Sequence, residues 1–145
     1  MNGYTPLALA IAAILSIVIA RPLRQRRSGT GVAATTMLSI EQLTSLLARD
    51  AVRVVDVRTR DDFNGEQGHL AGAVHLPLEA LAARIAELGE NRAQAIALIC
   101  RTDRKSAVAA ALLAGHGFTA ARAVRRDMTA WRERGLPTTH DLTRH

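Results

Sequence analysis

Cys100 is the chain's one cysteine, and the segment it opens, Cys100-Arg101-Thr102-Asp103-Arg104-Lys105-Ser106, sets three cations within the next five positions. The thiolate is the nucleophile, and a thiol with the ordinary pKa of about 8.5 is only about 3% ionised at pH 7. Chemistry here therefore needs surroundings that favour the anion. Arg101, Arg104 and Lys105 supply positive charge and Asp103 opposes it. A loop running from a strand end to a helix start adds unpaired N–H groups and the positive end of the helix dipole. A fall of about 2 pKa units would ionise most of the thiol and corresponds to about 2.7 kcal/mol. The residues predict a cysteine nucleophile in an anion-binding cradle, and Arg101→Ala is then expected to raise the Cys100 pKa. The alternative is a cysteine acting as a small buried hydrophobe, which the apolar run before it favours and the charged residues after it oppose. Reactive cysteine hydrolases pair the thiol with a histidine base. His69, His75 and His116 are the candidates, and a structural or solvent-facing role is the ordinary reading of each.

With one cysteine no intrachain disulfide can form, which suits a reducing compartment and leaves Cys100 free for redox or sulfur chemistry. The five histidines have no cysteine partners at zinc-ligand spacing, so no metal site is expected.

The elements that must hold this loop are legible as an alternation of strands and helices. Residues 95–99 (AIALI) form a continuous apolar run suited to a central strand, with Cys100 at its carboxyl end. Residues 52–57 form a second buried strand, ended by a polar Asp- and Gly-rich stretch over 59–68, and 73–76 form a third, short strand stopped by Pro77. Ser39-Ile40-Glu41-Gln42 has capping-box spacing and opens a helix to about Ala48 with Ile40, Leu43, Leu46 and Leu47 on one face. Leu81, Ile85 and Leu88 recur at helical spacing over 79–88. A helix over 106–113 closes at Gly115 and Gly117, a small strand follows over 121–124, and a last helix covers 127–134. Such alternation predicts a mostly parallel sheet covered on both faces, with ligands beyond the carboxyl ends of the strands, where Cys100 sits.

In front of this domain, residues 4–20 (YTPLALAIAAILSIVIA) carry no charge and run into Arg21-Pro22-Leu23-Arg24-Gln25-Arg26-Arg27. Seventeen helical residues cover roughly 25 Å, the short end of what a bilayer requires, and Arg21 can snorkel to lengthen it. The expected organisation is an anchor and basic flank over 1–27, a small, polar linker over 28–36 and a catalytic domain over 37–145. A cleaved leader and a buried helix are the alternatives for the apolar run. Arginines on its carboxyl side place the domain in the cytoplasm.

The net charge of +6 is concentrated at this end. Residues 1–36 hold four arginines and no acid, so taking these from the 19 cations leaves 15 against 13 acids from Met37 onward, a net of +2. That distribution, without basic-aromatic interleaving, argues against a nucleic-acid partner.

Five segments in order, VVDVRTRDDF, GHLAGAVHLPL, CRTDRKS, GHGF and MTAW followed by GLP, resemble the single-domain rhodaneses, the thiosulfate:cyanide sulfurtransferase family. The resemblance covers Val54 to about Pro137. It implies an α/β fold with a central five-stranded, mostly parallel sheet and helices on both faces. It also implies a double displacement: Cys100 takes the outer sulfur of a donor as a persulfide and passes it to a thiophilic acceptor, with no cofactor. Backbone N–H groups of the six-residue loop 100–105 would cradle the persulfide and Arg101 and Lys105 would attract the anionic donor. Asp56 and Arg58 would brace the loop or pair with nearby charges.

Cysteine phosphatases and arsenate reductases of related fold carry a loop one residue longer with arginine six positions after the cysteine. Here that position is Ser106, which argues against phosphoryl transfer. In the position before Met128 where the family commonly has two glycines stand Arg126 and Asp127, and Asp127 is a candidate cap for the last helix. The reading is a membrane-tethered sulfurtransferase serving a small sulfur donor and a thiophilic acceptor, and the alternative is a non-catalytic binding or sulfur-carrier module on the same scaffold.

Overall fold

The computed structural model describes residues 37–141. The expected anchor over 4–20 and linker over 28–36 lie outside them, and no helix among the described residues is long and apolar enough to cross a membrane.

β1 (Arg53–Asp56), β2 (Val74–His75), β3 (Ile96–Ile99) and β4 (Ala121–Ala123) form a parallel sheet in the order β2-β1-β3-β4. Because β1 and β3 are neighbours with Asp56 opposite Ile99, the carboxyl ends that carry Asp56 and Cys100 lie side by side. The expected fifth strand is reduced among the described residues to one parallel bridge, Leu38 with Val124. The Leu38 N–H donates to the Ala123 carbonyl and the Arg125 N–H to the Leu38 carbonyl, each at 2.8 Å. One residue later Ser39 caps a helix, which turns the chain off the sheet before a ladder can extend.

That helix, α1 (Ile40–Leu47), has the capping box the sequence announces: the Gln42 N–H donates to Ser39 Oγ at 3.2 Å and the Ser39 N–H to Gln42 Oε1 at 2.9 Å. It is followed along the chain by α2 (Arg60–Asn64), α3 (Leu78–Leu81), a 3-10 turn (Ile85–Leu88), α4 (Asp103–Gly115) and α5 (Asp127–Glu133). Two expectations change. The single helix over 79–88 is two short turns, with Arg84 in the bridge region between them (φ −107°, ψ 13°), and Leu81 and Leu88 are nevertheless both buried in the same core. The polar stretch after β1 contains α2, capped by Thr59, whose Oγ accepts from the Asp62 N–H at 3.2 Å.

Successive side chains of a strand point to opposite faces, and here they feed two separate cores. Val55, Val57, Ile96, Leu98 and Cys100 join Leu81 of α3 and Ala109, Ala110 and Leu113 of α4. Val54, Ala97 and Ile99 join Ile40 and Leu43 of α1, Phe63 of α2 and Met128, Ala130 and Trp131 of α5. Burial on both faces is the reason β3 reads as an unbroken apolar run.

Candidate active site

Cys100 follows the last residue of β3 and continues the alternation that buries Ile96 and Leu98, so its side chain is only 2% exposed. The chain then makes a turn of two residues, Arg101 and Thr102, and α4 begins at Asp103, three residues earlier than the sequence suggests. Asp103, Arg104 and Lys105 therefore occupy the first helical turn. Thr102 stands at the N-cap position without a side-chain cap.

Burial pushes the Cys100 thiol above its ordinary range, with the negative field of Asp127 adding to the rise. The backbone N–H groups of Thr102 and Arg101, and the charge of Lys105, pull the other way. The expectation of a thiol lowered by its basic loop is thus reversed, because burial outweighs the backbone donors and the charge of Lys105. Arg101 is exposed and pairs with Asp62 at 2.9 Å, and Lys105 lies 4.0 Å from Glu79. Arg104 is exposed. The hydrogen-bond donors that act on the sulfur are main-chain N–H groups.

Asp56 and Arg58 form a buried pair, 0% and 2% exposed, at the end of β1. The Arg58 Nη2 donates to Asp56 Oδ2 at 2.7 Å and its Nε to both carboxylate oxygens at 3.0 Å. Nη1 also donates to the Asp62 carbonyl (3.1 Å) and Nη2 to the Gly68 carbonyl (2.8 Å). The pair braces α2 and the turn after it, and through Asp62, whose carboxylate accepts from Arg101, it touches the cysteine loop. Gly68 has φ +62°, and a Cβ there would stand 2.6 Å from the Thr139 carbonyl oxygen, so the turn needs glycine.

The histidines take structural roles. His69 is buried between the carbonyls of Phe63 (3.0 Å) and Asp141 (3.1 Å), and His75 contacts the Arg58 carbonyl at 3.0 Å. Both stack on Phe63. His116 caps the far end of α4.

The other side of the loop is clasped by the start of α5. The Met128 N–H donates to the Cys100 carbonyl at 3.2 Å, and Thr129 Oγ1 lies 3.4 Å from the Arg101 carbonyl oxygen. Arg126 and Asp127 have φ of 55° and 40°, the left-handed region that favours glycine. Asp127 does not cap α5. It is fully buried and accepts from Ser106 Oγ at 2.9 Å, a pairing of residues 21 apart that no local pattern announces. Ser106 is buried with it. Beside the loop, Gln67, Arg101, Thr129, Arg132 and Glu133 line an open cavity of about 420 Å³.

A sequence model of the rhodanese-like domain matches residues 39–134. A thiosulfate sulfurtransferase of Shewanella oneidensis, GlpE, is 31% identical over 96 residues, which are 66% of this chain and 91% of that protein. YrkF of Bacillus subtilis, which bears a sulfur-carrier name, is 35% identical over 69 residues, 48% of this chain and 35% of its own length, so the chain spans about a third of that relative. Among solved structures, the human single-domain sulfurtransferase TSTD1 superimposes with a TM-score of 0.59 at 25% identity, over 67% of this chain and 95% of that one. The chain is a member of the rhodanese-like domain family, whose relatives are named as sulfurtransferases and sulfur carriers.

Proposed function

We propose that the chain transfers sulfane sulfur through a persulfide on Cys100. The observation that carries this is the placement of one cysteine at the carboxyl end of a central strand, with the N–H groups of Arg101 and Thr102 acting on its sulfur. The Cys100 thiolate attacks the outer sulfur of thiosulfate, the sulfur–sulfur bond of the donor breaks, and sulfite leaves with the electron pair. A thiophilic acceptor such as cyanide then attacks the outer sulfur of the persulfide, and the thiolate is regenerated. Atoms and electrons balance without a cofactor. Backbone donors suit this chemistry because they need no reorganisation when charge arrives on sulfur. Arg101, at the rim, would attract the anionic donor.

The test is thiocyanate formation by the 145-residue chain and its Cys100→Ser variant, with mass spectrometry after thiosulfate alone. One added sulfur on Cys100 and loss of turnover in the variant are expected. Turnover with an unmodified Cys100 refutes the reading.

A second reading, a sulfur carrier or docking module without turnover, is favoured by the burial of the thiol and its raised pKa. It predicts partner binding that survives Cys100→Ser. Ser106 supports neither phosphatase nor arsenate reductase chemistry, since it is buried against Asp127 where those enzymes need a guanidinium. We further propose, from the uncharged run over 4–20 and the arginines after it, that the domain over 37–145 is tethered to the cytoplasmic side of a membrane. Recovery of the intact chain in the carbonate-washed membrane fraction is expected, and recovery in the wash refutes it.

A further inference from the structure

The turn between β4 and α5 places a carboxyl against the cysteine loop. Asp127 is 0% exposed, Ser106 donates to its Oδ2 at 2.9 Å, and its Oδ1 is buried with no hydrogen-bond partner. The next residue, Met128, holds the Cys100 carbonyl, so the carboxyl and the nucleophile are fixed by one turn of α5.

The charges around Asp127 do not neutralise it. Asp103 on α4 and Asp56 on β1 both oppose its ionisation, and Asp56 is already committed to Arg58. Lys105 on α4 acts on Cys100. Arg126 turns outward to Glu133 at 2.8 Å, and Glu41 of α1 pairs with Arg134 beyond the other end of α5. No described cation forms an ion pair with Asp127. A buried, unpaired carboxylate is costly, and the backbone there is held in an uncommon conformation, a combination that marks functional turns. Burial pushes the Asp127 carboxyl up to about 8, although the Ser106 hydrogen bond opposes the rise. The influence is mutual: the Asp127 charge raises the thiol.

We propose that Asp127 is a positioning residue for the Cys100 nucleophile: a neutral Asp127 carboxyl lets the sulfur carry the negative charge, and an ionised one holds the thiol protonated. The site then accommodates one buried anion, and Asp127 decides whether sulfur can be that anion. This deepens the sulfur-transfer reading and takes its purpose from it, yet the experiment needs no sulfur donor.

The rate of Cys100 alkylation by iodoacetamide, an uncharged probe, is followed from about pH 6 to 10 in the 145-residue chain and in Asp127→Asn and Ser106→Ala. Asparagine keeps an acceptor for Ser106 and removes the charge. Two like charges separated by several ångströms of protein interact by roughly one pKa unit, so the midpoint in Asp127→Asn is expected about one unit lower, with alkylation up to about tenfold faster between about pH 8, where Asp127 of the parent ionises, and the midpoints, and equal rates near pH 6, where it is neutral. A midpoint within about 0.3 unit of the parent overturns the proposal. Ser106→Ala removes the hydrogen bond that favours the ionised carboxyl, so its midpoint is expected to fall by no more than in Asp127→Asn, and a rise there overturns the proposal. Should the asparagine variant not fold, the carboxyl carbon resonances of the labelled parent decide: one aspartate titrating near 8 supports the proposal, and none titrating above about 6 overturns it. The midpoint shift without sulfur loading would count against sulfur transfer alone, and loading without the shift against Asp127 alone.

Discussion

Asp127→Asn should also change how stability depends on pH, with a sign opposite to that of an ordinary salt-bridged aspartate. The folded chain holds the carboxyl at about 8 against an ordinary value of 3.8. Between these values the unfolded chain releases a proton that the folded chain keeps, so the folded state loses stability as pH rises. The full advantage is present below about 3.8 and is gone by about 8. Each unit in that window costs about 1.4 kcal/mol, so at pH 7 the parent has forfeited about 4 kcal/mol that the asparagine variant keeps. Against a total stability of 5–15 kcal/mol for a domain, roughly speaking, that is a large fraction. Urea unfolding of parent and variant at pH 4, 5, 6, 7 and 8 measures it. All other titrating groups are common to both chains and cancel in the difference. The two should be nearly equal near pH 4 and diverge steadily to pH 8, with the variant the more stable. Parallel curves would refute the reasoning, because they would mean that Asp127 ionises as readily in the folded chain as in the unfolded one.

Arg58→Met leaves Asp56 buried without its cation and should cost about 3–5 kcal/mol in urea unfolding; adding Asp56→Asn should recover part of it, and no recovery would show that the pair itself contributes little. Gly68→Ala forces a side chain into a left-handed conformation and against the Thr139 carbonyl, so a loss of at least about 1–2 kcal/mol and faster proteolysis of the segment after Pro137 are expected. Arg101→Ala should raise the KM for thiosulfate while leaving the Cys100 alkylation midpoint within about 0.3 unit, since the Arg101 guanidinium pairs with Asp62 and only its N–H acts on the sulfur. A midpoint that rises by a full unit would restore the guanidinium as the agent that ionises the thiol.

The features legible in the sequence are those carried by local pattern. The capping box at Ser39, the apolar run into Cys100 and the order of strands and helices all depend on neighbours within a few residues, and they stand in the structure. α2 was hidden because five residues are too few for helical periodicity, although Thr59 with Asp61 and Asp62 after it is an N-terminal signature. α4 begins early because Asp103 to Lys105 are compatible with a first helical turn, and charge alone does not separate loop from helix there. The contacts that shape the site join distant positions: Arg101 to Asp62, Arg58 to Gly68, Ser106 to Asp127. An acid at the first position of a helix reads as a dipole partner exposed to water, so nothing local distinguishes Asp127 from Asp103 until the fold buries it.

The distinction matters because charge counted along the chain is not charge felt by the sulfur. Three cations follow Cys100, but Arg101 is turned to Asp62 and Arg104 is exposed, which leaves Lys105, 4.0 Å from Glu79, as the cation whose charge acts on the sulfur, whereas the one acid brought into the interior against the loop is Asp127. A basic heptapeptide thus folds into a site that sets a buried carboxyl against the loop and whose anion donors are backbone amides. Such a site tolerates a single negative charge on sulfur, provided Asp127 is neutral, and resists a second. A phosphate or arsenate dianion would bring two charges without the bidentate arginine that the Ser106 position denies it. On the proposed sulfur-transfer reading, the same carboxyl that costs the fold stability at neutral pH narrows the chemistry of the loop toward sulfur, since it makes the anion the cysteine can carry depend on a proton held 27 residues along the chain.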